Sequence, residues 1–316
     1  MHAHNRNCLW IWIIFAGLHS MSIKIVGEFK MSNQKKVGVV GAGMMGAEIA
    51  LCYAVAGCKV VMNDISMDFL NKGKANQEKA LERNIKRGRW PEDKKNAMEN
   101  ITLSDKIEDL KDVEFVLEAV SEVADIKKSV LSKVDEVCGP DTVIATNTSS
   151  MPIAMLSSYV SKARAAKFVG MHFFSPASVM KLVEVIPCIA TTEETSEKAR
   201  AYTALIDKTP IMVKDVAGFA MNRIYHAIMQ ESGRLVSEGV CSVEDIDIGC
   251  KLAFGHPMGP FELYDLTSLD LNLKVQEILY GEYGDRFLPS IILKRMVEAG
   301  LWGRKVGEGF YKYDKK

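Results

Sequence analysis

The chain has 316 residues, 40 basic and 40 acidic, so its formal net charge is zero; that balance gives no ground for nucleic-acid or anionic-membrane binding by the whole protein. Seven cysteines (8, 52, 58, 138, 188, 241, 250) form no Cys-x-x-Cys pair and no histidine accompanies them at metal-ligand spacing. This argues against a disulfide scaffold or a zinc site and for a reducing, cytoplasmic setting.

Residues 1–34 differ from the rest. CLWIWIIFAG, at 8–17, is a short apolar run behind Arg6, too short to span a bilayer as a helix. The following SMSIKIVGEFK has no small-residue cleavage pattern, so the segment reads as an N-terminal extension from an upstream start, with a targeting segment as the alternative. MSNQKKVGVVGAG, from Met31, reads as the start of the globular chain. KVGVVGAG is a buried strand entering a tight turn, MMGAEIALCYAVAG a helix ending at Gly57, and CKVVMND a second strand. Residues 66–100 suggest two helices interrupted by Gly88 and Pro91, and DVEFVLEAV a third strand followed by a helix to about Cys138. TVIATNTSS, KFVGMHFF, KLVEVI and PIMVKD supply further strands, with a helix over 192–207. Such alternation implies a mainly parallel sheet covered on both faces. From GFAMNR onward the periodicity is helical, over 218–237, 243–253, 262–280 and about 286–299. The expected division is 35–216 for an α/β domain and 217–316 for an all-α domain.

Gly41, Gly43 and Gly46 form GAGMMG, with Ala42, Met44 and Met45 between them, after one strand and before one helix. Such a loop lets backbone approach a pyrophosphate at the positive end of a helix, as in Rossmann-type domains. Asp64 closes the second strand where a carboxylate accepts from ribose hydroxyls, and no arginine follows in DISMD, which favours NAD(H) over NADP(H).

His172 opens HFFSPASVMKLVE, which ends at Glu184. Pro176 makes a turn between two β-branched stretches, and a returning strand could bring Glu184 back to His172. An imidazole held by a carboxylate suits a general base near neutral pH, although a histidine at a strand end also serves structure. Ser149, in NTSS at 147–150, follows a strand at the edge where such sheets place ligands, or caps a helix. Asn222, in GFAMNR, lies at the domain junction, while GHPMGPFEL reads as an architectural turn. His226 and His256 read as structural, and His2, His4 and His19 fall in the extension.

GAGMMG, NTSS, HFFSPASVMKLVEVI, KDVAGFAMNR, GHPMGPFELYDLTSLD and GRKVGEGFYKY, in this order, resemble the L-3-hydroxyacyl-CoA dehydrogenase family, especially its bacterial 3-hydroxybutyryl-CoA members, over residues 35–316. The resemblance implies that His172 is the acid/base, Glu184 its partner, and Ser149 and Asn222 contacts to the reacting oxygen. It implies that Asn147, Glu122, Lys127 and Lys305 lie near NAD, and that the helical domain supports a homodimer. Arg83, Lys86, Arg87 and Arg89, in RNIKRGRW, are then candidates for the phosphates of an acyl-CoA, the alternative being a solvated basic face. Ser175, Ala217 and Ser268 stand where the family usually has Asn, Pro and Gly. They put chain-length preference in question more than the reaction. The alternatives are a free 3-hydroxy-acid dehydrogenase of gulonate or carnitine type, and a nucleotide-binding protein without catalysis.

Overall fold

A computed structural model describes residues 35–314; the expected extension at 1–34, with its apolar run and three histidines, lies outside the described residues. β1 (Lys36–Val40) enters α1 (Met44–Val55) through the glycine loop, followed by β2 (Lys59–Asn63), α2 (Met67–Lys86) and β3 (Ile101–Ser104). Next come β4 (Phe115–Glu118), α3 (Ala124–Val137), β5 (Val143–Thr146), and two short helices, α4 (Ile153–Ser157) and α5 (Lys162–Ala165). β6 (Phe168–Phe173), β7 (Leu182–Ile186), α6 (Glu193–Leu205) and β8 (Thr209–Met212) complete the sheet. The remainder is helical: α7 (Met221–Ser237), α8 (Val243–Phe254), α9 (Pro260–Thr267), α10 (Leu269–Tyr283) and α11 (Ile291–Glu298).

Among the described residues the strands form one sheet in the order β3-β2-β1-β4-β5-β6-β7-β8. Neighbours are parallel except β6 and β7, which run antiparallel. β4, β5 and β6 are buried along their whole length, because helices cover both faces; hence these strands read as continuous apolar runs rather than alternating ones. On one face α1 and α6 pack over the sheet, with Tyr202 stacked on Phe115 at 4.3 Å between ring centroids. Leu131 and Val134 of α3 and Ile153 and Leu156 of α4 belong to the core of the other face.

Three local expectations change. The second helix expected within 66–100 is a 3-10 segment, Glu92–Asn100, which delivers β3 to the sheet edge. β3 pairs only with β2 and buries only Ser104 of its four residues, so it carries no apolar alternation by which to be recognised. The helix expected over 262–280 breaks at Ser268, whose φ of +75° separates α9 from α10. The last helix starts at Ile291, capped by Ser290, after a 3-10 turn at Gly284–Phe287.

The GRKVGEGFYKY segment folds back on the helical domain through two buried carboxylates. Asp265 accepts from the N–H groups of Phe310 and Tyr311 and from the Tyr313 hydroxyl. Asp247 accepts from the N–H groups of Phe261 and Glu262 and from the Tyr311 hydroxyl. Burial raises the Asp265 carboxyl above the usual carboxylate range despite these donors.

Candidate active site

The glycine loop sits at the carboxyl edge of β1. Gly41 has a φ of +104°, and a Cβ there would lie 2.6 Å from the Ala119 carbonyl oxygen; a Cβ on Gly46 would lie 1.9 Å from that of Gly41. Only glycine lets the turn close on β4 and start α1 at that point. Around Gly43 the space is open, with nothing within 4 Å of an added Cβ, and α1 has no side-chain cap. Its first N–H groups therefore remain available, at the positive end of the helix dipole, beside a space that a side chain would fill. Ala42, Gly43, Met44 and Met45 line this turn, which fits the pyrophosphate of a dinucleotide. Asp64 is adjacent: its carboxylate accepts from Ala42 N at 2.6 Å and from Ile65 N at 2.8 Å. A carboxylate has further lone pairs, so these bonds leave capacity for ligand hydroxyls.

The NTSS loop is held from beneath by a buried charge chain. Glu118 and Lys127, both fully buried, pair at 2.7 Å, and Lys127 also lies 3.2 Å from Glu122. Glu118 takes further bonds from Val120 N and the Thr146 hydroxyl, the full satisfaction that makes a buried pair tolerable. Glu122 Oε1 accepts from the Thr148 hydroxyl and from the N–H groups of Ser149 and Ser150. Burial pulls its carboxyl upward, but the Lys127 charge and these donors outweigh that and hold it below the usual range. Asn147 Oδ1 accepts from Phe173 N at 2.9 Å and ties the ends of β5 and β6 together.

The antiparallel register of β6 and β7 sets His172 opposite Glu184. His172 Nδ1 lies 2.7 Å from Glu184 Oε2, the imidazole nearly buried and the carboxylate wholly so. Glu184 Oε1 accepts from Ala220 N and Met221 N at 3.0 and 2.9 Å. One carboxylate thus holds the imidazole and caps α7, whose dipole favours the negative charge. Phe219, at a φ of +47°, turns the chain into that helix and packs its ring 5.6 Å from His172. A phenylalanine in the left-handed region is a strained conformation that its surroundings must enforce. One residue into α7, Asn222 Nδ2 lies 3.4 Å from the Ser149 carbonyl oxygen, a long hydrogen bond. Asp215 accepts from Ile153 N and Ala154 N, fixing α4 to the chain that leads into α7.

His172, Glu184, Asn222 and Ser149 are therefore linked by contacts, and Glu122 and Lys127 support the Ser149 loop directly. Lys305 is not part of this set: its partners, Asp270 at 3.2 Å and the Trp302 ring, are both in the helical domain. Arg83, Lys86, Arg87 and Arg89 lie at the end of α2 and just after it, with Arg83 3.8 Å from Glu48 and Arg89 bonded to Asn84. Sequence reasoning missed Glu118, Asp215 and Phe219. A lone carboxylate in the apolar run FVLE was a usable signal for Glu118; nothing local marked the other two. His226 is buried with Nδ1 unpartnered, and burial pushes its imidazole down to about 4. Among the described residues, no cluster of three or more His, Cys, Asp or Glu could hold a metal ion, and no helix is long and apolar enough to cross a membrane.

A glycine loop at the carboxyl edge of a mainly parallel sheet, beside a histidine–carboxylate pair that reaches into a helical domain, defines a dinucleotide-binding α/β protein with a dedicated second domain. Residues 36–216 match the 3-hydroxyacyl-CoA dehydrogenase NAD binding domain and residues 218–313 the C-terminal domain of the same family. The chain belongs to the 3-hydroxyacyl-CoA dehydrogenase family. A probable 3-hydroxybutyryl-CoA dehydrogenase of Deinococcus radiodurans is 39% identical over 279 residues, 88% of this chain and 100% of that protein. A 3-hydroxybutyryl-CoA dehydrogenase of Clostridioides difficile is 38% identical over 282 residues, 89% of this chain and 100% of that protein. The solved (S)-3-hydroxybutyryl-CoA dehydrogenase of Ralstonia eutropha has a TM-score of 0.85 at 41% identity, covering 90% of this chain and 100% of its own.

Proposed function

We propose that the protein moves a hydride between NAD(H) and C3 of a 3-hydroxyacyl-CoA or 3-oxoacyl-CoA, with a short chain such as 3-hydroxybutyryl-CoA/acetoacetyl-CoA as its substrate. The observation that carries this reading is the His172–Glu184 pair, 2.7 Å apart and joined through Glu184 to the helix that bears Asn222. Bound NAD supplies the hydride acceptor at C3. His172 takes the proton of the C3 hydroxyl, while Glu184 fixes its tautomer and balances the imidazolium that forms. Asn222 and Ser149 donate to the oxygen at C3 as carbonyl character develops. Names of the relatives support the CoA ester over a free 3-hydroxy acid. Asp64 beside the glycine loop supports NADH over NADPH.

In this reading 35–216 binds cofactor and 217–316 closes on substrate and pairs with a second copy in the cytoplasm. Leu252 and Phe254 of α8, 82% and 72% exposed, support a partnered surface there. Light scattering on a Leu252→Asp/Phe254→Asp variant checks it, and an unchanged mass would remove α8 from the interface.

His172→Ala should lower kcat for acetoacetyl-CoA reduction by roughly 100- to 10,000-fold while NADH still binds with unchanged affinity. Near-normal turnover in that variant sinks the assignment. In the wild type, a preference for free acetoacetate over its CoA ester would select the free-acid reading.

A further inference from the structure

Ser149 is held by its backbone and free at its hydroxyl. Its N–H donates to Glu122 and its carbonyl oxygen accepts from Asn222, while its exposed hydroxyl forms no hydrogen bond among the described residues. The path of the loop backbone therefore aims that hydroxyl, and the loop needs fixing at both ends. At its start, Asn147 is tied to Phe173. At its end nothing local serves: Pro152, the N-cap of α4, makes no side-chain cap. α4 has only five residues, too few to persist by its own bonds, and its first N–H groups find no partner within it. Asp215 supplies the partner from far along the chain. One carboxylate oxygen accepts from Ile153 N at 2.9 Å, the other from Ala154 N at 2.7 Å. The wholly buried Ile153 side chain fixes the same point, filling a notch at Gly170 where an added Cβ would lie 2.6 Å from Ile153 Cδ1. Gly170 is in β6, two residues before His172. The end of the Ser149 loop is thus keyed both to the strand of His172 and to the chain that enters α7. Glu184 reaches from the sheet to the first N–H groups of α7; Asp215 reaches from the approach to α7 back to those of α4. The two carboxylates brace the junction in opposite senses.

We propose that Asp215 is a positioning residue for the reaction: through the end of the loop it sets where the Ser149 hydroxyl meets the C3 oxygen. It does so without touching substrate, cofactor or the His172–Glu184 pair. This rests on the role given to Ser149 in the function proposed above. A misplacement of about 1 Å at a reacting site can cost about 100-fold in rate, so releasing one end of the loop is enough to register in turnover.

The test is a double-mutant cycle. Asp215→Ala should lower kcat for acetoacetyl-CoA reduction by about 10- to 100-fold, with NADH affinity and the pH dependence of kcat left as in the wild type. Made in a Ser149→Ala protein, the same change should alter kcat by less than about twofold, because the group it positions is gone. A merely structural role predicts losses that multiply, and that result overturns the proposal. So does a shifted pH profile, which would route Asp215 through His172 and Glu184. Amide exchange gives a readout that needs no turnover. In Asp215→Ala, protection at Ser149 and Ser150 should fall by about tenfold although their acceptor, Glu122, is intact; unchanged protection also overturns the proposal. Asp215→Asn, which keeps one acceptor in the same volume, carries both measurements if the alanine variant does not fold. Wild-type kcat in Ser149→Ala alone would sink the role given to Ser149, and this proposal with it. A slow Ser149→Ala on which the Asp215 loss still multiplies sinks only the proposal. If the wild type reduces no acetoacetyl-CoA, the functional reading fails, and amide exchange alone decides whether Asp215 sets the loop.

Discussion

The sheet and the helical domain solve the same problem of burial differently. In the sheet, backbone groups satisfy one another across parallel strands, so the side chains between sheet and helices are free to be apolar, and two broad cores result. The helical domain builds its core on Met229, Ile246, Phe261, Tyr264, Leu269 and Leu293, with partly buried neighbours. It also buries His226, Gln230, Asn272 and Gln276. There the free N–H groups in the first turn of α9 are met by Asp247, and those of Phe310 and Tyr311 in the C-terminal segment by Asp265. A sheet's cohesion is spread over many equivalent bonds, whereas the helices depend on a few irreplaceable carboxylates.

The sharpest way to break that comparison is Asp265→Ala. It removes three donors' partner at once, and we expect a loss of about 3 kcal/mol. Urea unfolding should show Trp302 and the C-terminal segment released first, with NADH binding retained to higher denaturant. One coincident transition for both probes would show that the two regions do not differ in this respect.

A smaller effect comes from His226. Its folded-state value near 4 lies below the ordinary 6.5. The unfolded chain therefore binds more protons between those values, and stability is complete above about 6.5 and lost as pH falls towards 4. The stability should drop by about 2 kcal/mol between pH 7 and pH 5, and His226→Leu should flatten that slope. An equal slope in the variant would assign the effect elsewhere.

The smallest concerns Ser268, at a φ of +75°, whose hydroxyl reaches Asp270 and the Trp302 carbonyl. Both Ser268→Gly and Ser268→Ala lose those bonds, but only glycine relieves the backbone. Glycine should be more stable than alanine by about 1 kcal/mol; equal melting temperatures would mean that the site carries no strain.

Much of this was legible in the chain. β1, the glycine loop, α1 and Asp64 were readable because strand period, turn chemistry and helix start coincide within some thirty residues. The return of Glu184 to His172 was readable because Pro176 forces a turn between two β-branched runs. β3 was not, since an edge strand pairing on one side needs no apolar alternation. The break at Ser268 was missed because apolar periodicity passes through it and serine gives no warning of a positive φ. Asp215 was hidden for another reason: it caps α4, more than sixty residues earlier in the chain, and no local pattern encodes so distant a partner. Lys305, placed near the cofactor by resemblance, carries contacts to Asp270 and the Trp302 ring that no local pattern announced.

Glu184 gives the molecule an interlock. Its Oε2 serves His172 while its Oε1 takes the first N–H groups of α7. Were that helix to swing away from the sheet, a carboxylate with no access to water would lose two donors in the same movement that withdraws Asn222. Under the proposed mechanism the base is therefore armed only when both halves are seated, and undocking the second domain disarms it without any contact to His172 being touched.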